Sequence, residues 1–203
     1  SLSVGAQLQL DRGTLKELAL GCLFHDSGML LIDQKIQQLN RPLTRIEFLE
    51  ITKHPVKIFD KLRKAESIPT RAAFIALQIH ERNNGSGYPR RRETNQIHFL
   101  SKVAAVADTY VAMVSPRPHR AGILPHRAIE ELVSLTNQGL FDPSALRALL
   151  ETVSLYPIGS CIALNDGRVA RVLRANGTEF DRPILEVFDR GRLADPPEIV
   201  DLA

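Results

Sequence analysis

Five residues of this 203-residue chain have the types and intervals to build a metal centre: His25, Asp26, His54, His80 and Asp108. The gaps from His25 to His54, His54 to His80 and His80 to Asp108 are 29, 26 and 28 residues. Each gap is about one helix, a loop and the return. Consecutive helices of a bundle can therefore each aim one donor at a shared centre, as di-metal carboxylate bundles do. Imidazole and carboxylate together suit iron, manganese or zinc, and a carboxylate such as Asp26 can bridge two ions. A single histidine in a helical protein is usually a surface or satisfied core residue, so the regular spacing is what sets these five apart. His98, His119 and His126 lie in loop-like or exposed contexts and are assigned a structural or surface role.

The elements that must position such donors are helical. Thr14-Leu-Lys-Glu17 and Thr44-Arg-Ile-Glu47 both match a capping box, in which a hydroxyl takes a first-turn amide and the glutamate reaches back. The first is expected to open a helix broken by Gly28, just after His25-Asp26. The second leads to Lys53, and Pro55 then fits the first turn of the next helix, which runs to about Lys64. Further helices are expected from Thr70 to about Arg82, from Ile97 to Val114, from Pro125 to Gly139 and from Asp142 to about Val153. Beyond Tyr156-Pro157 the pattern changes. SCIALNDGRVARVLRA alternates around Asn165-Asp166-Gly167, a hairpin signal, and PILEVFD (183–189) and EIVDL (198–202) are further short strands. The reading is a mainly α fold: a helical domain over 1–154, then a small β module of three or four strands over 155–203.

Composition narrows the class. Hydrophobic residues make up 44%, enough for a core, and the formal net charge is +3 with a pI of about 9.0. Acidic and basic residues are interspersed, and Arg90-Arg91-Arg92 is too short a basic run for a nucleic-acid-binding surface. Cys22 and Cys161 lack paired spacing, which fits a reducing cytoplasm. No apolar run reaches the ~18 residues of a membrane span, and the first residues carry no signal-peptide pattern. The chain does not begin with Met, and Leu2, Val4, Ala6 and Leu8 read as the tail of a helix. The expectation is a piece of a longer protein with its N-terminal helix truncated.

Several motifs then occur in order: FHDSGM (24–29), TKHP (52–55), HERNNGSGYP (80–89), VADTY (106–110) and SPRPHR (115–120). As a set they resemble the HD-GYP domain, a bacterial branch of the HD metal-dependent phosphohydrolases. The resemblance covers about residues 1–154, and the β module is similar to an extension many members carry. It implies an HD-type helical bundle and a metal-dependent phosphodiesterase acting on cyclic di-GMP, to pGpG or GMP. It implies one or two divalent transition-metal ions, iron or manganese, held by His25, Asp26, His54, His80 and Asp108, with His25, Asp26 and Asp108 at the chemistry. A further ligand would lie upstream of Ser1. Tyr88, Gly87, Arg117 and Arg120 would face the cyclic dinucleotide, and an upstream sensor domain or partner signalling protein would supply the input. In this light the glycines of 80–89 allow a sharp turn and Pro89 sets its exit. Tyr88 is then held over a pocket floored by His80, with Arg90 to Arg92 near the mouth to draw in an anion.

Four positions depart from the family pattern. Ile79 replaces the first member of a His-His pair, Met29 a lysine, Val111 an aspartate, and Asn84 the aspartate of DGSGYP. Loss of both members of a buried Lys–Asp pair can be neutral where loss of one costs about 3–5 kcal/mol, so Met29 and Val111 are expected to touch. The departures keep a second reading open: a degenerate, non-catalytic module that binds nucleotide or a partner protein and relays a signal.

Overall fold

The computed structural model describes residues 1–116, 121–153, 156, 158–176, 179–189 and 192–201. In chain order these form α1 (Leu2–Gln7), α2 (Arg12–Phe24), a 3-10 segment (His25–Leu31), α3 (Gln34–Gln37), α4 (Arg45–Ile51), α5 (His54–Leu62) and α6 (Thr70–Gln78). A 3-10 turn (Thr94–Gln96), α7 (Phe99–Val114), α8 (Pro125–Asn137) and α9 (Pro143–Leu150) follow. The chain then enters β1 (Cys161–Ala163), β2 (Val169–Asn176), β3 (Glu179–Asp189) and β4 (Arg192–Asp201).

Helix α6 is the axis of the helical part. A helix that is apolar all round is buried on all sides, and TRAAFIALQ buries six of its residues. Ile75, with Ile79 just beyond the helix, joins one core cluster with Leu18 of α2, Val103 of α7 and Leu132 of α8. Ala73, Ala76 and Leu77 join the other with Ile58, Phe59 and Leu62 of α5. Each fully buried Leu or Ile contributes about 1.5–3 kcal/mol, so α6 is pinned from both faces. Gln78, also buried, ties the end of α6 to the start of α7: its Oε1 accepts from His98 N at 2.9 Å and Ser101 Oγ at 3.1 Å. His80 therefore leaves a rigid platform.

Local signals place most helix starts. The Thr44–Glu47 capping box is present, and Pro55 lies in the first turn of α5. The Thr14 box is not what caps α2. Asp11 is the N-cap and accepts from Gly13 N and Thr14 N, because its carboxylate, one residue before the helix, reaches those amides directly. Thr14 sits inside the first turn and donates its hydroxyl to Asp11. Glu17 is left to pair with Arg71 at 2.8 Å, which braces α2 against α6. The helix also ends earlier than expected, at Phe24, and the chain tightens into the 3-10 segment that carries His25 and Asp26.

The strands form one antiparallel sheet in the order β1-β2-β3-β4, with the hairpin turn at 164–168 pairing Ala163 with Val169. Ala170, Val172, Leu185 and Val187 bury one face as a cluster separate from the two helical ones. No helix among the described residues is long and apolar enough to cross a membrane.

Candidate metal centre

The 3-10 segment, the start of α5 and the second residue beyond α6 converge on the Asp26 carboxylate, and the middle of α7 reaches the same cluster through His25. Asp26 Oδ2 lies 3.2 Å from His25 Nε2, and Asp26 Oδ1 lies 3.6 Å from His54 Nε2 and 3.8 Å from His80 Nε2. Asp108 Oδ1 reaches His25 Nε2 at 3.6 Å. Donor atoms of His25, Asp26 and His80 all lie within 4.8 Å of one another. The five residues singled out by spacing are thus brought together in the fold.

Two close backbone approaches make this possible. At Gly28 a Cβ would sit 2.1 Å from the carbonyl oxygen of His54, so the 3-10 segment lies directly against the start of α5. At Gly87 a Cβ would meet Arg82 N at 2.4 Å and His80 O at 2.5 Å. Gly87, expected on the substrate side, is buried instead against 80–82, which brings the turn down onto His80. Tyr88 N donates to His80 O at 3.1 Å, and the Tyr88 ring stacks on the His80 imidazole at 4.9 Å. The Tyr88–Pro89 bond is cis. Asn84 Oδ1 accepts from Ser86 N at 3.1 Å and Ser86 Oγ at 2.7 Å, the Asx-turn role an aspartate there would also fill.

The imidazoles are set up to donate electron pairs. His25 Nδ1 lies 2.6 Å from Cys22 O and His54 Nδ1 lies 2.7 Å from Ile51 O. A carbonyl only accepts, so Nδ1 carries the proton and Nε2 faces the centre, the arrangement that orients ligating histidines. The Nε2 atoms of His25, His54 and His80 are buried and have no hydrogen-bond partner among protein atoms. Three such orphans around one carboxylate is a costly arrangement for a protein alone, and it fits a divalent cation held by imidazole and carboxylate.

Electrostatics follow from the same geometry. Burial opposes charge on His25, but the Asp108 and Asp26 carboxylates outweigh it and raise its pKa to about 10. His25, then His80, hold the Asp26 carboxyl far below the usual range. Burial lowers the His54 pKa, which keeps that ring neutral and ready to ligate. Burial likewise pushes the Tyr88 phenol up to about 12, so it stays a proton donor at neutral pH. A cation that binds His25 Nε2 must therefore displace a proton held to about pH 10. Metal affinity is expected to rise by about tenfold per pH unit between pH 6 and 8 for that one proton. Calorimetry in buffers of different ionisation enthalpy would report the released proton. The metal-free fold has the opposite sign: the raised His25 pKa contributes stability that is complete below its unfolded pKa of 6.5 and is lost as pH rises through about 10.

Glu81, which sequence reasoning passed over, anchors the turn that carries Tyr88. It is buried, and its two carboxylate oxygens accept from Arg90 N at 2.8 Å and Arg92 N at 2.9 Å. This clamp closes the far side of the turn that carries Tyr88. A buried glutamate next to an arginine looks in sequence like any solvated charge pair; only its burial gives it away. Glu81→Ala strands two amides and is expected to cost about 1–3 kcal/mol. Thermal melts would register that loss.

Other expectations are modified. Val111 is 55% exposed at the mouth of a cavity of about 140 Å³ lined also by Cys22, His25, Ile79, Ala107 and Asp108. An aspartate at position 111 would face solvent, so the buried-pair argument linking Met29 to Val111 lacks its premise. Arg117 and Arg120, and with them His119, lie outside the described residues. Arg90 and Arg91 are exposed beyond the turn. Arg82 is half-buried, over the Phe141 ring at 4.8 Å, with its guanidinium donating to the carbonyls of Ile79 and Glu81.

Comparison with known proteins places this geometry. Residues 1–145 match the HD domain family. The chain is 32% identical over 205 residues to the cyclic di-GMP phosphodiesterase PA4108 of Pseudomonas aeruginosa, covering 99% of this chain and 49% of that protein. It is 24% identical over 200 residues to the cyclic di-GMP phosphodiesterase PdeB of Borreliella burgdorferi, covering 98% of this chain and 52% of that one. The chain thus spans about half the length of these curated relatives. Among solved structures, Bd1817, a HDG"Y"P protein from Bdellovibrio bacteriovorus, superposes with a TM-score of 0.59 at 20% identity, over 73% of this chain and 47% of that one, a likeness of fold.

Proposed function

The chain belongs to the HD domain family, and from that premise we propose that its His–Asp cluster is the metal centre of a phosphodiesterase that hydrolyses cyclic di-GMP. One observation carries the proposal: three buried, unpartnered Nε2 atoms aimed at the Asp26 carboxylate. A bound divalent cation supplies Lewis acidity there and lowers the pKa of coordinated water towards 7. The donor set suits iron or manganese.

The protein's own groups divide the remaining work. His54 and His80 approach one oxygen of Asp26 while His25 approaches the other, so Asp26 would be the carboxylate ligand shared by the three imidazoles when metal is bound. Asp108 supports the His25 side alone. Tyr88, held protonated over His80, is positioned to donate its phenolic hydrogen to a phosphoryl or ribose oxygen. Upstream input, from a sensor domain or a signalling partner, completes the reading. The test is full-length protein with Mn(II) or Fe(II) assayed against cyclic di-GMP: formation of pGpG or GMP is expected, and absence of turnover with every metal tried removes the catalytic reading.

A second reading has its own observation. Ile79 lines the cavity beside His25 and Asp108, and among the side chains lining that cavity these two are the imidazole and carboxylate donors. A centre short of donors on that side favours a module that binds nucleotide or a partner without turning over. Binding of cyclic di-GMP without hydrolysis distinguishes it.

A further inference from the structure

Helix α4 has no buried residue, and three of its four large apolar side chains, Ile46, Phe48 and Leu49, are 76%, 49% and 49% exposed. A large apolar group left in water is informative when it sits beside a functional centre. Phe48 does: its ring meets Tyr88 edge-on with centroids 6.1 Å apart. Tyr88 in turn is stacked on His80 and lies 6.1 Å from His54. The rings step outward from the metal centre, with His80 innermost, Tyr88 next and Phe48 at the open end. Tyr88 has one face committed to His80 and is half-buried, whereas about half of Phe48 remains open.

The placement of Phe48 is held from the polar side of the helix. Glu47 accepts from Thr44 N at 2.7 Å in the capping box and from both terminal nitrogens of Arg41 at 2.8 and 2.7 Å. Glu50 pairs with Lys53 one turn on. These bonds fix the start and end of α4 without burying its apolar side. A nucleotide with its phosphate at the His–Asp cluster carries a base with a flat π face, and aromatic rings take bases by stacking regardless of base identity.

We propose that Phe48 is a base-stacking residue whose open ring face takes one purine of the nucleotide bound at the His–Asp centre. This rests on the cyclic dinucleotide reading above. Phe48 belongs to neither helical core cluster and its ring contact is Tyr88, not a His–Asp ligand, so substitutions at 48 are expected to leave the core and the metal ligands in place.

The test uses metal-loaded, full-length protein. Phe48→Ala and Phe48→Leu are expected to weaken cyclic di-GMP binding, by calorimetry, about 5- to 100-fold, with metal content and melting temperature at wild-type values. Phe48→Trp should retain affinity. The 203-residue sequence has no tryptophan, so the emission of Phe48→Trp beyond that of the wild-type protein reports the new indole, and it should be quenched by cyclic di-GMP and not by dimethyl phosphate, which has no base. Wild-type affinity in both Phe48→Ala and Phe48→Leu, with unquenched Phe48→Trp, overturns the stacking role and leaves the proposed function standing. Failure of the wild-type protein to bind cyclic di-GMP overturns both.

Discussion

Asp26→Ala is expected to strip the protein of bound transition metal and to lower phosphodiesterase turnover by about 10³-fold or more. Among the described residues, Asp26 is the one whose carboxylate approaches the Nε2 atoms of His25, His54 and His80 together. Without it the three imidazoles face one another with no anion between them, and a divalent cation loses its central charge partner. Lewis-acid stabilisation is worth several kcal/mol, and about 4 kcal/mol corresponds to about 10³ in rate. Asp108→Ala should be milder, because Asp108 reaches His25 alone. Metal analysis by mass spectrometry, run beside the turnover assay, checks the ordering. Equal metal content in wild-type protein and Asp26→Ala would remove Asp26 from the centre.

Gly28→Ala is the second large effect, and it acts on a residue with no side chain to donate. The added methyl would be placed 2.1 Å from the His54 carbonyl oxygen, well inside contact distance, and the obstruction is backbone rather than a flexible side-chain end. The 3-10 segment and α5 must then separate. Overpacking of this kind costs about 1–3 kcal/mol and sometimes more. The displacement also falls between Asp26 and His54, whose nearest donor atoms are 3.6 Å apart. The variant is therefore expected to melt lower and to bind metal more weakly, whereas Gly159→Ala, with nothing within 4 Å of the added Cβ, should leave the metal centre unaffected. Loss of metal affinity in Gly28→Ala with no change in the protein's circular dichroism spectrum would locate the damage at the site itself.

How far the residues could be read without the fold differs from one to the next. Thr44–Glu47, Pro55 and Asn165–Gly167 act through hydrogen bonds and dihedral preferences confined to a few residues, and each lies where its local chemistry puts it. Asp11 is not distinguished as a cap by local pattern because Thr14 offers an equally good one three residues on, and only the observed start of α2 separates them. The exposure of position 111 and the burial of Glu81 have no local signature at all. Both depend on what other segments do: Glu81 is enclosed by the returning chain at 90–92, and Val111 of α7 opens onto a cavity lined also from α2, the 3-10 segment and the residue just beyond α6.

By itself the sequence determined the mainly helical class, the C-terminal antiparallel strands and the repeat of imidazole and carboxylate donors at helix-sized intervals. Those are properties of periodicity and residue type, which the chain carries wherever it goes. Only the tertiary structure decided that Asp26 and not Asp108 is the hub, that Gly28 and Gly87 are points of backbone contact, and that a half-exposed phenylalanine stands edge-on to Tyr88. Which side chain ends at the centre depends on α6 being held between two apolar clusters, a balance of burial summed over residues far apart in the chain.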